Sequence, residues 1–426
     1  MKKRELTVFI LMLLTLLVVS DATTVRGGGP DWPQWRGPTR DCRVPSGSAA
    51  WPDSLESIER IWRVKLGPGY SGPIVWGEKV YVTETRDETF EVVHALDRQT
   101  GRELWKTQWK GAMNVPFFAK SNGDWIRSTP ACDGRSLYVG GMRDVLVCLN
   151  TDDGAVRWRV DFAEKYQTGV PAFGFVCSPL LDGDAIYIQA AASVLRVNKK
   201  SGDVEWRAMV TEGDMTDSAF SSPVIATLHG TRQLVVQTRQ TLAGLELETG
   251  DVLWNVDVPS FRGMNILTPT VIDNRILTST HKNRTYMYEV EKSGTDLSVR
   301  QAWDLPAQGY MSSPVVIDEF AYLHLGNGRL CCIDLDKGEQ RWRSRSYGKY
   351  WSMAVNRDKI LALDQRGGLI LLAANPGKPT ILARKRIADD ETWAHLAVAG
   401  EQLFIRELHA VAGYRWKPAS TSQLND

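Results

Sequence analysis

His94-Ala95-Leu96-Asp97-Arg98-Gln99-Thr100-Gly101-Arg102-Glu103-Leu104-Trp105 is the stretch whose reading decides the fold. It reads as the end of one strand, a tight turn closed by glycine, and a second strand carrying tryptophan. The frame is a small residue, an Asp-like residue two positions on, then Gly, then Trp, and it is set by Ala95, Asp97, Gly101 and Trp105. It returns as Cys148, Asn150, Gly154 and Trp158; as Gly244, Glu246, Gly250 and Trp254; and as Cys332, Asp334, Gly338 and Trp342. A looser copy, Arg196, Asn198, Gly202 and Trp206, loses the small residue. An Asp-like side chain and a glycine suit a turn that bonds side chain to backbone and needs one residue at positive φ. The Trp offers a large ring to a neighbouring unit, and the small residue leaves room for it. The frame is therefore a clasp between repeats.

Each copy sits in a longer unit of about 40 to 50 residues with four strands, the signature of a β-propeller. Units start at Gly72-Pro73, Thr129-Pro130, Ser178-Pro179, Ser222-Pro223, Thr268-Pro269 and Ser313-Pro314, with degenerate starts at Ser352-Met353 and His395-Leu396. Eight starts predict an all-β fold, an eight-bladed propeller of four-stranded antiparallel blades. The last unit, ending near Trp416, has little chain left for its outer strand. The orphan strand Ile61–Leu66 resembles the outer strand of the others and is expected to close the ring. The fifth copy reaches its Trp303 only after an insertion at Glu291 to Arg300, and the seventh, around Ala374-Asn375-Pro376-Gly377, has no Trp.

The flanks divide the rest. Lys2-Lys3-Arg4 and the apolar run Leu6 to Val19 read as an export signal over residues 1–22, and the run is short for a membrane span, so no transmembrane span is expected in the mature chain. Residues 23–59, with Trp32-Pro33-Gln34-Trp35-Arg36-Gly37-Pro38, are expected to lie irregularly on the folded body, the propeller to occupy 60–417, and 418–426 to form a disordered tail. A secreted or periplasmic protein is expected, with an uncleaved membrane anchor as the lesser alternative. Basic residues (51) nearly cancel acidic ones (50), which argues against nucleic acid as a partner. Six cysteines raise the question of disulfides in an exported chain, but neighbours on a strand point to opposite faces, which disfavours a bridge between Cys331 and Cys332. No Cys-x-x-Cys-His haem motif is present. The six histidines are scattered, so no metal site is expected.

Ala-x-Asp-x-x-Thr-Gly-x-x-x-Trp at Ala95 to Trp105 resembles the tryptophan-docking motif of quinoprotein dehydrogenases and of the wider PQQ-like repeat propellers, whose non-catalytic members include the outer-membrane assembly factor BamB. Trp32 to Pro38 is similar to the start of secreted bacterial members of this group. The resemblance implies the fold, with Trp105, Trp158, Trp206, Trp254 and Trp342 as structural clasps. For an enzyme it would also imply PQQ with calcium, held by carboxylates and an amide, beside a catalytic Asp. No local stretch matches such a site; Asp124, Asp214 and Asp217 read as solvated loop charges, and the catalytic residues stay unknown.

Aromatic residues precede many inner strands: Tyr70, Trp125, Phe175, Phe220, Tyr310, Tyr350-Trp351 and Trp393, with Arg127 beside them. Wedging between blades is the simpler account of these rings. The alternative is an aromatic channel mouth that binds a ligand, sugar or peptide, with the loops Met113 to Phe118 and Tyr166 to Gly174 at the same end. The functional expectation is a non-enzymatic binding or scaffolding module for a protein or carbohydrate. A PQQ-dependent alcohol or sugar dehydrogenase and an outer-membrane assembly factor are the alternatives.

Overall fold

Eight four-stranded antiparallel sheets form the molecule, as the repeat requires. The computed structural model describes residues 31–212 and 219–417; the expected export signal, the tail, Asp214 and Asp217 lie outside them. Blade 1 is Ile74–Trp76, Lys79–Arg86, Phe90–Asp97 and Glu103–Lys110, counted from the innermost strand outward. Its two middle strands are buried on both faces, because each blade is covered by a neighbour on either side, whereas the outer strand alternates between buried and exposed.

The ring closes with both ends of the chain. Blade 8 consists of Ala397–Ala399, Gln402–Glu407 and Ala410–Trp416, and its outer strand is Ile58–Lys65, paired antiparallel to the last of these. The closing strand thus begins three residues before the expected Ile61 and ends one before Leu66, whose N–H still bonds to the His409 carbonyl at 2.9 Å.

The frame works as its composition suggests. Asp97 Oδ1 accepts from the Gln99 and Thr100 amides at 3.1 and 2.8 Å and from the Thr100 hydroxyl at 2.7 Å, and Gly101 takes φ +72°. A Cβ on Gly101 would also lie 2.8 Å from the Trp62 ring. Each tryptophan belongs to one blade and lies on the glycine turn of the next. The Trp105 indole N–H donates to Thr151 O at 2.9 Å and its ring covers Gly154. Trp158 repeats this on Lys199 O and Gly202, Trp206 on Leu247 O and Gly250, and Trp303, despite the insertion, on Leu335 O and Gly338. Trp342 donates to Asn375 O at 2.8 Å. Trp62 closes the circle, donating to Arg98 O at 3.0 Å. The small residue faces the Trp within its own blade, as in the pairs Ala95–Trp105, Cys148–Trp158 and Gly413–Trp62. Trp254 differs: its ring packs against blade 5, but its N–H donates to Gln233 Oε1 of its own blade at 2.6 Å. The fifth blade carries its long hairpin, Thr285–Ser293 with Asp296–Leu305, where the others have the short Gly turn.

The Ser/Thr–Pro starts also have a structural account. Each hydroxyl accepts from the backbone of the preceding blade: Gly72 N on Thr129, Thr129 N on Ser178, Ser178 N on Ser222, Ser222 N on Thr268 and Thr268 N on Ser313, all at 2.9 to 3.2 Å. The direction reverses at the degenerate copies, where Trp351 N bonds to Ser312 and Leu396 N to Ser352. All six cysteines are buried thiols, and Cys331 and Cys332 enter different core clusters.

Candidate functional site

The N-terminal segment does more than lie on the folded body; it crosses the channel. Trp32 pairs with Val75 of blade 1, Pro33 O accepts from Cys132 of blade 2, and Arg40 donates to Ser178 O and Pro179 O of blade 3. On the opposite side Arg36 reaches Pro314 O of blade 6, and Cys42 and Val44 bond to Val355 of blade 7. The segment Trp32 to Val44 is therefore a crossbar. Its Trp35 ring meets His395 of blade 8 edge to face at 5.2 Å.

Above the crossbar opens a cavity of about 1030 Å³, walled by the connections that enter each blade and by the loop holding Arg239 and Gln240. Its floor includes Trp35, His395 and the belt hydroxyls of Thr129, Ser178, Ser222, Thr268 and Ser313. Seven of the nine residues expected at a mouth line it together: Tyr70, Arg127, Phe220, Tyr310, Tyr350, Trp351 and Trp393. Phe175 does not. It is 2% exposed in the core, against Gly140, where a Cβ would come within 2.4 Å of its ring. Trp125 is not among the lining residues either.

The rings wedge between blades and line the mouth at once. One wall is a continuous arc: Tyr70 on Trp393 (4.8 Å), Trp393 on Tyr350 (4.2 Å), Tyr350 on Tyr310 (5.7 Å), Tyr310 on His281 (4.8 Å) and His281 on Phe261 (6.1 Å). The facing wall runs Phe118, Phe173, Phe220. At the rim Phe117, Phe118 and Phe261 are 89%, 64% and 42% exposed. Trp35, Phe173, Phe261 and Arg239 were not singled out as site residues in the sequence. The aromatic pairs within Trp32 to Trp35 and within the Tyr166 to Gly174 loop were the signals available for the first two. Asp124, expected as a solvated charge, accepts from Val115 N at 2.8 Å and pairs with Lys120, holding its loop in place.

Burial sets the electrostatics. It pushes the Tyr70 hydroxyl up to about 12 and pulls the Arg127 guanidinium down to about 10. His395 is pulled down to about 3 by burial and by the Arg36 charge, so it stays neutral. Among the described lining residues Asp257 is the one carboxylate. Calcium requires six to eight oxygen ligands, usually with several carboxylates, so this donor set does not fit PQQ with calcium. Nor do three His, Cys, Asp or Glu side chains group as a metal site among the described residues.

A family model described as outer membrane protein assembly factor BamB matches residues 55–121 and 89–344. BamB of Yersinia pestis is 22% identical over 328 residues, covering 75% of this chain and 69% of its own length. BamB of Escherichia coli K12 is 25% identical over 257 residues, covering 58% and 64%. Among solved structures, BamB from Moraxella catarrhalis superposes with TM-score 0.61 at 14% identity, over 84% of this chain and 99% of its own. A quinohemoprotein alcohol dehydrogenase from Pseudomonas putida HK5 gives 0.63 at 13%, over 92% and 81%. A protein named as an assembly factor and an alcohol dehydrogenase thus share this fold, and the fold alone does not separate them. The sequence match does place the chain: it belongs to the PQQ-like propeller family described as outer membrane protein assembly factor BamB.

Proposed function

We propose that this protein is an exported, non-enzymatic scaffold that binds a protein segment at its aromatic mouth, in the manner of an outer-membrane assembly factor. The observation that carries the reading is the exposed ring set, Phe117, Phe118 and Phe261, around a deep aromatic cavity. Exposed apolar groups concentrated at one rim mark interaction sites, and buried aromatic anchors supply most of the energy at protein interfaces. The names of the relatives, outer membrane protein assembly factor, favour a protein partner over a carbohydrate. Among the described residues no helix is long and apolar enough to cross a membrane.

A photo-crosslinking amino acid in place of Phe118 tests the reading in detergent-solubilised outer membranes. Crosslinks to a membrane β-barrel or its assembly machinery are expected, and they should be lost when Phe117 and Phe261 are replaced by serine. An absence of specific crosslinks would overturn the assembly reading. Saturable quenching of tryptophan fluorescence by PQQ with calcium would overturn the non-enzymatic one.

A further inference from the structure

Three guanidinium groups with no ion pair among the described residues stand at the cavity or behind its lining: Arg127 lines it, and Arg36 and Arg40 lie against its Trp35. Arg36 and Arg40 lie beneath the floor, 5.5 and 5.6 Å from the centre of the Trp35 ring, on its two flanks of the crossbar. Arg36 bonds to Cys42 Sγ and Pro314 O; Arg40 bonds to Gln34 Oε1, Ser178 O and Pro179 O. Arg127 stands in the wall, 5.9 Å over the Tyr70 ring, held by the Asn122 and Gly123 carbonyls. The nearest acid acting on it, Asp124, is already engaged by Lys120 and Val115 N.

Buried arginines bonded to carbonyls occur elsewhere in this fold, and the comparison is informative. Arg98 is surrounded by Asp31 and Glu78, and Arg406 by Glu84, Asp390 and Glu407. Those two have acids to balance them. At Arg40 the neighbouring groups are Cys177, a thiol, and a second cation, Arg36. Taking a charge out of water without a counter-charge costs several kcal/mol, and departures of this kind collect at functional sites. Arg262 adds a further cation at the cavity wall, where Asp257 is the one carboxylate among the described lining residues, while Glu391 lies near enough to act on Tyr70 and Tyr350.

We infer that the cavity supplies an anion site, with Arg127 as its contact group, for a carboxylate carried on a flat apolar body that lies along the Tyr70–Trp393–Tyr350 arc. Arg36 and Arg40 do not touch the ligand; they keep the floor positive from below. An arginine fork is the side chain best shaped for a carboxylate, and the low-dielectric floor strengthens its pull. The inference rests on the mouth being a binding surface. The same chemistry is offered by a free aromatic acid and by the terminal carboxylate of a peptide ending in an aromatic residue.

Isothermal titration of the full protein with Ala-Ala-Phe, its C-terminal amide, 3-phenylpropionate and 3-phenylpropionamide tests it. Each acid that binds should bind at least about 10-fold tighter than its amide, since a charge-assisted bond is replaced by a neutral one. The advantage should shrink between about 0.05 M and about 0.5 M salt. It should vanish in Arg127→Gln and persist in Arg127→Lys. Binding of the peptide acid alone identifies a chain terminus as the ligand, and binding of both acids shows that the carboxylate on a ring is sufficient. Equal affinity of acid and amide in the unmodified protein would overturn the anion site while leaving the mouth as a binding surface. Failure of both acids to bind would overturn it as well, and the crosslinking at Phe118 would still judge the protein-binding reading by itself.

Discussion

Replacing Trp62 with alanine attacks the strand that closes the ring, the outer strand of blade 8, which is held to the rest of its own blade by pairing with Ala410–Trp416 and not by continuous chain. Trp62 is 8% exposed, with its ring between Gly413 of its own blade and Gly101 of blade 1, and its N–H on Arg98 O. Truncating a buried tryptophan to alanine costs about 3–5 kcal/mol, transfer and cavity together. The lost hydrogen bond adds about 1 kcal/mol. Burial therefore dominates, and Trp62→Phe, which keeps a ring but no donor, should lose far less than Trp62→Ala. Trp158→Ala, with the same kind of contacts to Lys199 O and Gly202, is the control in a blade whose four strands follow one another in the chain. Urea unfolding followed by far-UV circular dichroism should show similar losses of roughly 3–5 kcal/mol for the two alanine variants. Hydrogen exchange should separate them. Only Trp62→Ala should expose the amides of Ile58–Lys65 and Ala410–Trp416, because blade 8 can then open without unfolding its neighbours. A loss below about 1 kcal/mol for Trp62→Ala, a size usual for a surface change, or unchanged exchange in these strands would refute the closure argument.

Further outcomes follow from the same contacts. Gly101→Ala places a Cβ against the Trp62 ring at positive φ, whereas Gly77→Ala has nothing within 4 Å, so thermal melting should fall several degrees more for the first than for the second. Asp144, buried and bonded to Ala191 N, has its carboxyl pushed up to about 7 by desolvation. The native state then holds a proton that the unfolded chain releases between about pH 4 and about 7, so this residue's contribution to stability falls as pH rises through that window. Asp144→Asn should therefore stabilise the protein by about 2–3 kcal/mol more at pH 8 than at pH 5, and an equal shift at both would count against the assignment. His395 and His324, held neutral by burial down to about 3 and about 4, act in the opposite sense, and their contribution is lost as pH falls below the ordinary histidine value. Reductant should leave the melting temperature unchanged, since Cys331 and Cys332 point into separate clusters.

The clasp was legible because it is local. Asp97, Thr100 and Gly101 satisfy one another within a few residues, so their pattern survives in each copy as a short string. Trp62 was visible only as a strand, because the residues that complete its frame, Gly413 opposite and Gly101 beyond, lie at the far end of the chain and in another blade. The Ser/Thr–Pro starts were legible as punctuation but not as a belt, since each hydroxyl serves an amide more than forty residues away. The mouth was half legible. Rings placed before inner strands are carried to one end by the propeller topology, and this brought Tyr70, Tyr310, Tyr350 and Trp393 together. It also misplaced Phe175, because position in the connection does not fix whether a ring turns toward the channel or into the gap beside Gly140.

The crossbar shows most clearly what a repeat pattern conceals. Trp32 to Val44 has no counterpart in any other unit, so self-similarity says nothing about it, and its irregular composition reads as loose chain. Its backbone and arginines nevertheless bond to the inner strands or strand entries of blades 1, 2, 3, 6 and 7. Strand edges around a propeller axis carry carbonyls that no further strand can pair. A segment rich in arginine and poor in regular structure is suited to meet them, because one guanidinium offers five donors in several directions. The same arginines that tie the crossbar in place also make the cavity floor positive. In this fold the repeats build the walls, while the one non-repeated segment lays the floor between them.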